Sequence, residues 1–253
     1  MKIALVQTSP VWEAPAANLA AADRWVGKAE ADLVVFCEMF TTGFTMNAAT
    51  AADTMSGKGP QALREMARRH GKAIMGSMAI GEGGHFYNRM FFATPDGALS
   101  HYDKRHLFRM SGENGIYTPG AERPVWEYKG VRMLPLVCYD LRFPVWIRNR
   151  GDYDMIVIAA AWPAARAAVW RTLLRARAIE NLCYVAGVNR TGDEPNTPYN
   201  GDTALVDFMG NPVAEAGGRD EQMVTATVDL DAQKAFHEKF PAWMDADNFS
   251  LEM

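Results

Sequence analysis

The chain repeats one pattern of apolar periodicity, and that repetition constrains its fold more than any other feature. In the first half, KIALVQ (2–7) is an apolar run of strand length, followed by a helical stretch over 16–28 and a second run, ADLVVFCE (31–38). A helix over 61–69, with Pro60 near its first turn, leads to strands KAIMGSMAI (72–80) and FYNRMFFATP (86–95). Asp96-Gly97 then turns the chain into ALSHYDK (98–104), a hairpin signal. The second half keeps the order. RMLPLVC (132–138) reads as a strand, FPVWIRNR (143–150) as a short helix and YDMIVIAAA (153–161) as a strand. Residues 168–181 form a helix with Leu173, Leu174, Ala178 and Ile179 on its apolar face. LCYVAGVNR (182–190) and TALVDFMG (203–210) follow as strands, Gly210-Asn211 turns into PVAEAG, and MVTATVDL (223–230) closes the series.

Strands that are apolar throughout need cover on both faces. Their alternation with helices therefore predicts an α/β fold with helices packed on the sheets. The hairpins FFATPDGALS and LVDFMGNPVAEA match locally, so the reading is of two pseudo-repeated halves. No Ser/Gly linker separates them, and one domain over 1–253 is expected. The tail, 231–253, carries Phe240, Trp243 and Phe249. Side chains that large predict a docked tail, on this chain or on a second copy.

Composition narrows the class. A chain of 253 residues buries roughly three quarters of its unfolded surface and needs no covalent staples. Its three cysteines, Cys37, Cys138 and Cys183, are odd in number, which argues against a disulfide framework and for a reducing compartment. MKIALVQTSPVW lacks the long apolar region of a secretory leader, and no run is long enough to span a bilayer, so the expected location is the cytoplasm. Net charge is −4 and the basic residues are scattered, which gives no nucleic-acid footprint. The five histidines form no metal-like cluster with the cysteines, and SGKG (56–59) lacks the spacing of a phosphate loop.

Three polar groups end three of these strands: Glu38, Lys104 and Cys138. In open α/β sheets, ligands collect at the carboxyl ends of strands, so the three are candidates for one rim. Each has another reading. Glu38 suits a helix N-terminus, Lys104 an exposed basic turn, and Cys138 plain packing. Cys138 has one further property. VRMLPLV stops at the thiol and an amphipathic segment, 140–148, follows it. A nucleophile on such a strand-to-helix turn is held rigidly with its side chain exposed.

These segments together resemble the carbon–nitrogen hydrolase (nitrilase) superfamily, in particular its Nit/ω-amidase-like branch. The likeness runs from KIALVQTSPVW to FPAWMDADNF and rests on CEMFTTGF around Glu38, YDKRHLF around Lys104, VCYDLRFP around Cys138, and RARAIEN (175–181). The resemblance implies a four-layer α-β-β-α sandwich, a Glu-Lys-Cys triad and homodimers, with no cofactor. It also implies a second glutamate, matched by Glu113 in SGENGIYTPG. Cys138 is then the nucleophile toward an amide carbonyl, with Lys104 and the Tyr139 backbone N–H on the oxyanion. Glu38 acts as general base and acid, and Glu113 either orients Lys104 or holds the substrate amide. Tyr139-Asp140 after the cysteine matches the amidase branches rather than the Trp-Glu of nitrilases proper. The branch cleaves ω-amides of short 2-oxo dicarboxylic acids. A distal carboxylate needs a cation, for which Arg142 and Arg166 are candidates. Their alternative role is an ion pair at a dimer interface. Phe40, Phe44, Tyr139 and Trp162 are candidate pocket walls. Two further readings stay open: another amidase of the superfamily, acting on a carbamoyl amine or modified metabolite, and a non-catalytic binding protein.

Overall fold

The computed structural model describes residues 1–195 and 197–251. Two six-stranded sheets lie face to face, each built from one half of the chain plus one strand of the other. The first half supplies β1 (Lys2–Gln7), α1 (Pro15–Lys28), β2 (Leu33–Val35), α2 (Ala48–Ala51), α3 (Lys58–His70), β3 (Ala73–Glu82), β4 (His85–Ala93) and β5 (Leu99–Asp103). It ends in β6 (Trp126–Tyr128). The second half gives β7 (Val131–Val137), α4 (Pro144–Ile147), β8 (Met155–Ala160), α5 (Ala167–Asn181) and β9 (Tyr184–Asn189). It continues through β10 (Thr191–Glu194), β11 (Thr197–Asn200), β12 (Ala204–Val206), β13 (Pro212–Glu215), β14 (Gln222–Thr227) and α6 (Leu230–Lys239).

The strand orders are β14-β1-β2-β3-β4-β5 and β13-β12-β9-β8-β7-β6. Within each sheet the first three strands of a half are parallel and its hairpin is antiparallel. The last strand of each half crosses over. β6 pairs with β7 and β14 pairs with β1, so the halves exchange edge strands. This is the duplication anticipated from the hairpins, and Gly97 (φ 87°) and Gly210 (φ 85°) make the left-handed turns at both tips.

Between the sheets, β1 faces β9 and β4 faces β7; α1 and α3 pack together outside the first sheet and α5 outside the second. The result is helix, sheet, sheet, helix. β1, β2, β7, β8 and β9 are almost wholly buried, which explains their continuous apolar runs. The α5 stripe differs from expectation: Trp170, Leu174, Arg177, Ala178 and Asn181 are buried, whereas Ile179 is exposed. The helix expected over 143–150 is a single turn. Asn149 ends it by accepting from the Gly151 and Asp152 N–H groups and donating to the Tyr153 and Asn181 carbonyls. The edge strand β6 and the separate β10–β11 hairpin carry no strong apolar pattern and were not foreseen.

Candidate active site

The two sheets meet at the three strand ends singled out above. β2 is only three residues long. Phe36 N–H still donates to Met75 O of β3 (2.8 Å), but Glu38 N–H reaches Ala160 O at the end of β8 (3.4 Å). The chain thus leaves the first sheet for the second at Glu38. Met39 follows at φ 45°, its N–H held by Ser77 Oγ at 2.8 Å. Lys104 directly follows β5, its N–H on Asn88 O (2.9 Å) and its carbonyl accepting from Gly120 N–H (3.0 Å). Cys138 follows β7 and opens a short 3-10 turn over Cys138–Arg142 with φ 44°. A left-handed cysteine costs on the order of 1 kcal/mol. Asp140 holds the turn from within: its carboxylate accepts from Val137 N–H (3.0 Å), Tyr102 O–H (2.8 Å) and His106 N–H (2.9 Å). His106 Nδ1 also lies 2.8 Å from it, which gives that histidine a structural part.

Glu38, Lys104 and Glu113 are 0 % exposed, and Cys138 9 %. Lys104 Nζ lies 2.8 Å from Glu38 Oε1, 3.0 Å from Glu113 Oε1 and 2.9 Å from Glu113 Oε2. Its three protons are therefore committed to the two carboxylates. Glu38 Oε2 accepts from Ala161 N–H (2.9 Å), and Glu113 Oε2 from Phe108 N–H (2.6 Å). Burial alone depresses the Lys104 ammonium, but the charges of Glu113 and Glu38 outweigh it and hold its pKa above the ordinary lysine range. Burial pushes the Glu113 carboxyl up, against the pull of Lys104. Burial, and then the negative charge of Glu38, push the Cys138 thiol well above its ordinary value, with Lys104 opposing. At rest Cys138 is a neutral thiol beside Glu38.

Above it opens a cavity of about 290 Å³, lined by Lys104, Cys138, Tyr139, Phe44, Arg142, Trp162 and Arg166 among others. The Tyr139 amide lies in the first turn of the 3-10 segment, where N–H groups lack intrahelical partners. The Arg142 guanidinium sits 5.1 Å over the Trp162 ring and that of Arg166 5.2 Å over Phe108. Among the described residues neither guanidinium is in an ion pair. Trp162 serves the core as well: its Nε1 donates to Arg166 O (2.9 Å) and its ring tilts on Trp170. Phe40 does not line the cavity. It is 3 % exposed and stacked on Phe36 at 5.1 Å, packed where a Cβ at Gly76 would come within 2.9 Å of it. Three residues separate it from Phe44, and the turn closed by the Thr42 and Gly43 N–H groups on Met39 O, with Gly43 at φ 77°, runs between the two rings.

Cavity residues that sequence reasoning did not single out include Phe108, Met110, Ser111, Pro163, Thr197 and Tyr199. Thr197 and Tyr199 come from the β10–β11 hairpin, for which the sequence offered no strand signal. Cys37 points away from the cavity, contacts Thr8 Oγ1, and is pushed up to about 11 by burial. Cys183 is fully buried.

The model of the carbon-nitrogen hydrolase family matches residues 2–238. The chain is a carbon–nitrogen hydrolase. Among curated relatives of this hydrolase, the ω-amidase YafV of Yersinia enterocolitica is 45 % identical over 99 % of this chain and 98 % of its own. A 2-oxoglutaramate amidase of Bacillus subtilis is 36 % identical, covering 91 % and 92 %. Among solved structures, a CN-hydrolase superfamily protein of Xanthomonas campestris with an arsenic adduct in its active site has a TM-score of 0.97 at 45 % identity, covering 100 % and 99 %. Nit3 of Saccharomyces cerevisiae shares the fold at a TM-score of 0.87 and 24 % identity, covering 95 % of this hydrolase and 94 % of Nit3.

Proposed function

We propose that this hydrolase is an ω-amidase that cleaves the terminal amide of short 2-oxo dicarboxylic acid monoamides, releasing ammonia through a Cys138 thioester. The observation that carries the reading is a buried Glu-Lys-Cys cluster under a cavity whose wall holds two guanidinium groups outside any described ion pair. Hydrolysis of a neutral amide needs the first part. Recognition of a second, anionic end needs the other. The names of the Yersinia and Bacillus relatives support the same substrate class.

The chemistry follows from the proton inventory. A free thiol titrates near about 8.5 and an ordinary glutamate near about 4.3, so complete transfer to carboxylate costs about 6 kcal/mol. The thiol proton therefore moves to Glu38 as sulfur attacks the carbonyl carbon. The Tyr139 N–H and Lys104 meet the oxyanion; Lys104 does so through its charge, or by giving up one of its two contacts to Glu113. One such donor contributes on the order of 10²–10³ in rate. As the C–N bond breaks, Glu38 returns the proton to the departing ammonia. It then takes a proton from water, whose oxygen attacks the thioester, and hands it back to the thiol. Glu113 keeps Lys104 in place: all four of its acceptor sites are filled, by Lys104 twice, Asn88 and Phe108, which leaves no seat for a proton.

The protein acts as one domain, 1–253, in the cytoplasm, as a homodimer joined in part by its tail. α6 is anchored through Gln233 to the Asp154 and Leu182 carbonyls, whereas Phe240, Trp243 and Met244 beyond it are more than half exposed. No described helix is long and apolar enough to cross a membrane.

The test is a kinetic ranking of 2-oxoglutaramate, 2-oxosuccinamate, glutamine, asparagine and a carbamoyl amine. The oxo acid amides are expected to lead in kcat/KM, and Cys138→Ala to lower turnover by more than about 10³-fold with an unchanged circular dichroism melt. A carbamoyl amine at the head of the ranking, or full turnover by the variant, overturns the reading.

A further inference from the structure

A side chain outside the triad touches both carboxylates of this site. Asn88 lies on β4 and is fully buried. Its Nδ2 donates to Glu38 Oε1 at 2.7 Å and to Glu113 Oε1 at 3.1 Å, and its backbone carbonyl accepts the Lys104 N–H. Its Oδ1 accepts from Ser77 O–H at 2.9 Å, and Ser77 Oγ in turn accepts from Met39 N–H at 2.8 Å. This relay runs in one direction. With the serine proton on Oδ1, the amide must present its two N–H groups to the carboxylates. The site holds two carboxylates and one ammonium, and the amide supplies neutral donors where a second cation would otherwise be needed.

Counting acceptor sites on Glu38 gives a consequence. Oε1 takes Lys104 and Asn88, which fills both of its lone-pair directions. Oε2 takes the Ala161 N–H alone and keeps one direction open, and Glu38 lies near enough to the Cys138 thiol for its charge to raise it. We infer that Asn88 is a positioning residue that fixes the rotation of the Glu38 carboxylate, so that Oε2 is the oxygen that receives and returns the catalytic proton. Without Asn88, Oε1 has a free direction and either oxygen can take the proton. The loss of a hydrogen bond to the charged form also makes Glu38 easier to protonate. Catalysis needs the carboxylate, so the acid limb of the rate profile moves to higher pH. The other titratable groups facing Glu38 are Lys104, Glu113 and Cys138 within the site, Cys37 beside it, and Tyr117 and Tyr199 from the flanking segments. Of these, Glu113 alone also loses a side-chain donor when Asn88 is replaced.

The inference rests on Glu38 as the base and is separable from the choice of substrate. The experiment measures, across pH, both kcat/KM for 2-oxoglutaramate and the rate at which iodoacetamide alkylates Cys138, read by mass. Two variants are compared with the native enzyme: Asn88→Ala, and Ser77→Ala, which keeps the amide but removes its orienting donor. Asn88→Ala is expected to lower kcat by about 10²-fold, leave KM within about threefold, and move both acid limbs up by about one unit or more. Ser77→Ala moves them the same way by less, and decides the matter if Asn88→Ala does not fold. Acid limbs unmoved in the folded variants overturn the assignment, even if activity falls. Shifted alkylation limbs in an enzyme that ignores 2-oxoglutaramate uphold it while refuting the proposed substrate.

Discussion

At the scale of single residues, burial decides what each group can do. Cys138, Cys37 and Cys183 are all buried thiols raised by desolvation, so the thiol pKa does not distinguish Cys138 from the other two. What sets Cys138 apart is a left-handed backbone that turns it toward a cavity, with a carboxylate beside it. Glu113 offers a test of the division of labour. Glu113→Gln puts an amide NH2 against the Lys104 ammonium in either orientation, and against the Asn88 or the Phe108 N–H as well, and removes the charge that holds Lys104. Turnover is expected to fall by about 10²-fold, with Cys138 still alkylated by iodoacetamide. If activity is unchanged, Glu113 is not needed to position Lys104. Its place was legible through the family resemblance of SGENGIYTPG, since Glu122 and Glu127 also lie between the lysine and the cysteine. Which of the two proposed roles it takes was not, because that depends on how many donors converge on it.

At the scale of elements, the β10–β11 hairpin closes the cavity through one carboxylate. Glu194 accepts from Tyr199 O–H (2.8 Å) and Phe44 N–H (2.9 Å), and pairs with the fully buried Arg190. It thereby ties the hairpin to the segment after Glu38 and sets two cavity walls, Phe44 and Tyr199. Glu194→Ala leaves the Arg190 guanidinium buried without its partner, which typically costs about 3–5 kcal/mol. A lower Tm and a KM raised more than kcat is lowered are expected; thermal denaturation and steady-state kinetics check both. A second element-scale prediction concerns α5 on β9. A Cβ at Gly187 would lie 2.6 Å from Leu174 Cδ2 and 2.9 Å from Trp170 Cζ2. Gly187→Ala is expected to destabilise the protein by about 1–3 kcal/mol in denaturant titration, without moving KM. The central strands were readable because they are apolar on both faces. The β10–β11 hairpin was not, because what holds it is a buried network of Arg190, Glu194 and Tyr199 rather than apolar periodicity.

At the scale of the whole molecule, the duplicated halves bring opposite chemistry to one seam. The first sheet delivers Glu38 and Lys104, the connection after β5 delivers Glu113, and the second sheet delivers the thiol, while the cations at Arg142 and Arg166 line the same cavity. If they receive a distal carboxylate, neutralising either should lower kcat/KM for 2-oxoglutaramate by about 10- to 100-fold. A simple amide without the carboxylate should be little affected. Equal losses on both substrates would assign these arginines to structure instead. The exposed apolar tail makes a separate prediction. Trp243→Asp should shift the sedimentation coefficient toward the monomer if the tail joins two copies, and leave it unchanged if it does not.

The sequence by itself determined the α/β class, the duplicated order of strands and helices, the hairpin turns and the strand ends that carry Glu38, Lys104 and Cys138. These are local consequences of periodicity and turn chemistry, and the motif contexts pointed to one hydrolase family. Only the tertiary structure decided how the groups meet. It took Phe40 into the core, gave Asn88 both carboxylates, and supplied Tyr199 from an unforeseen hairpin. Those outcomes depend on which donors converge on a buried oxygen, and that is set by packing between segments far apart in the chain.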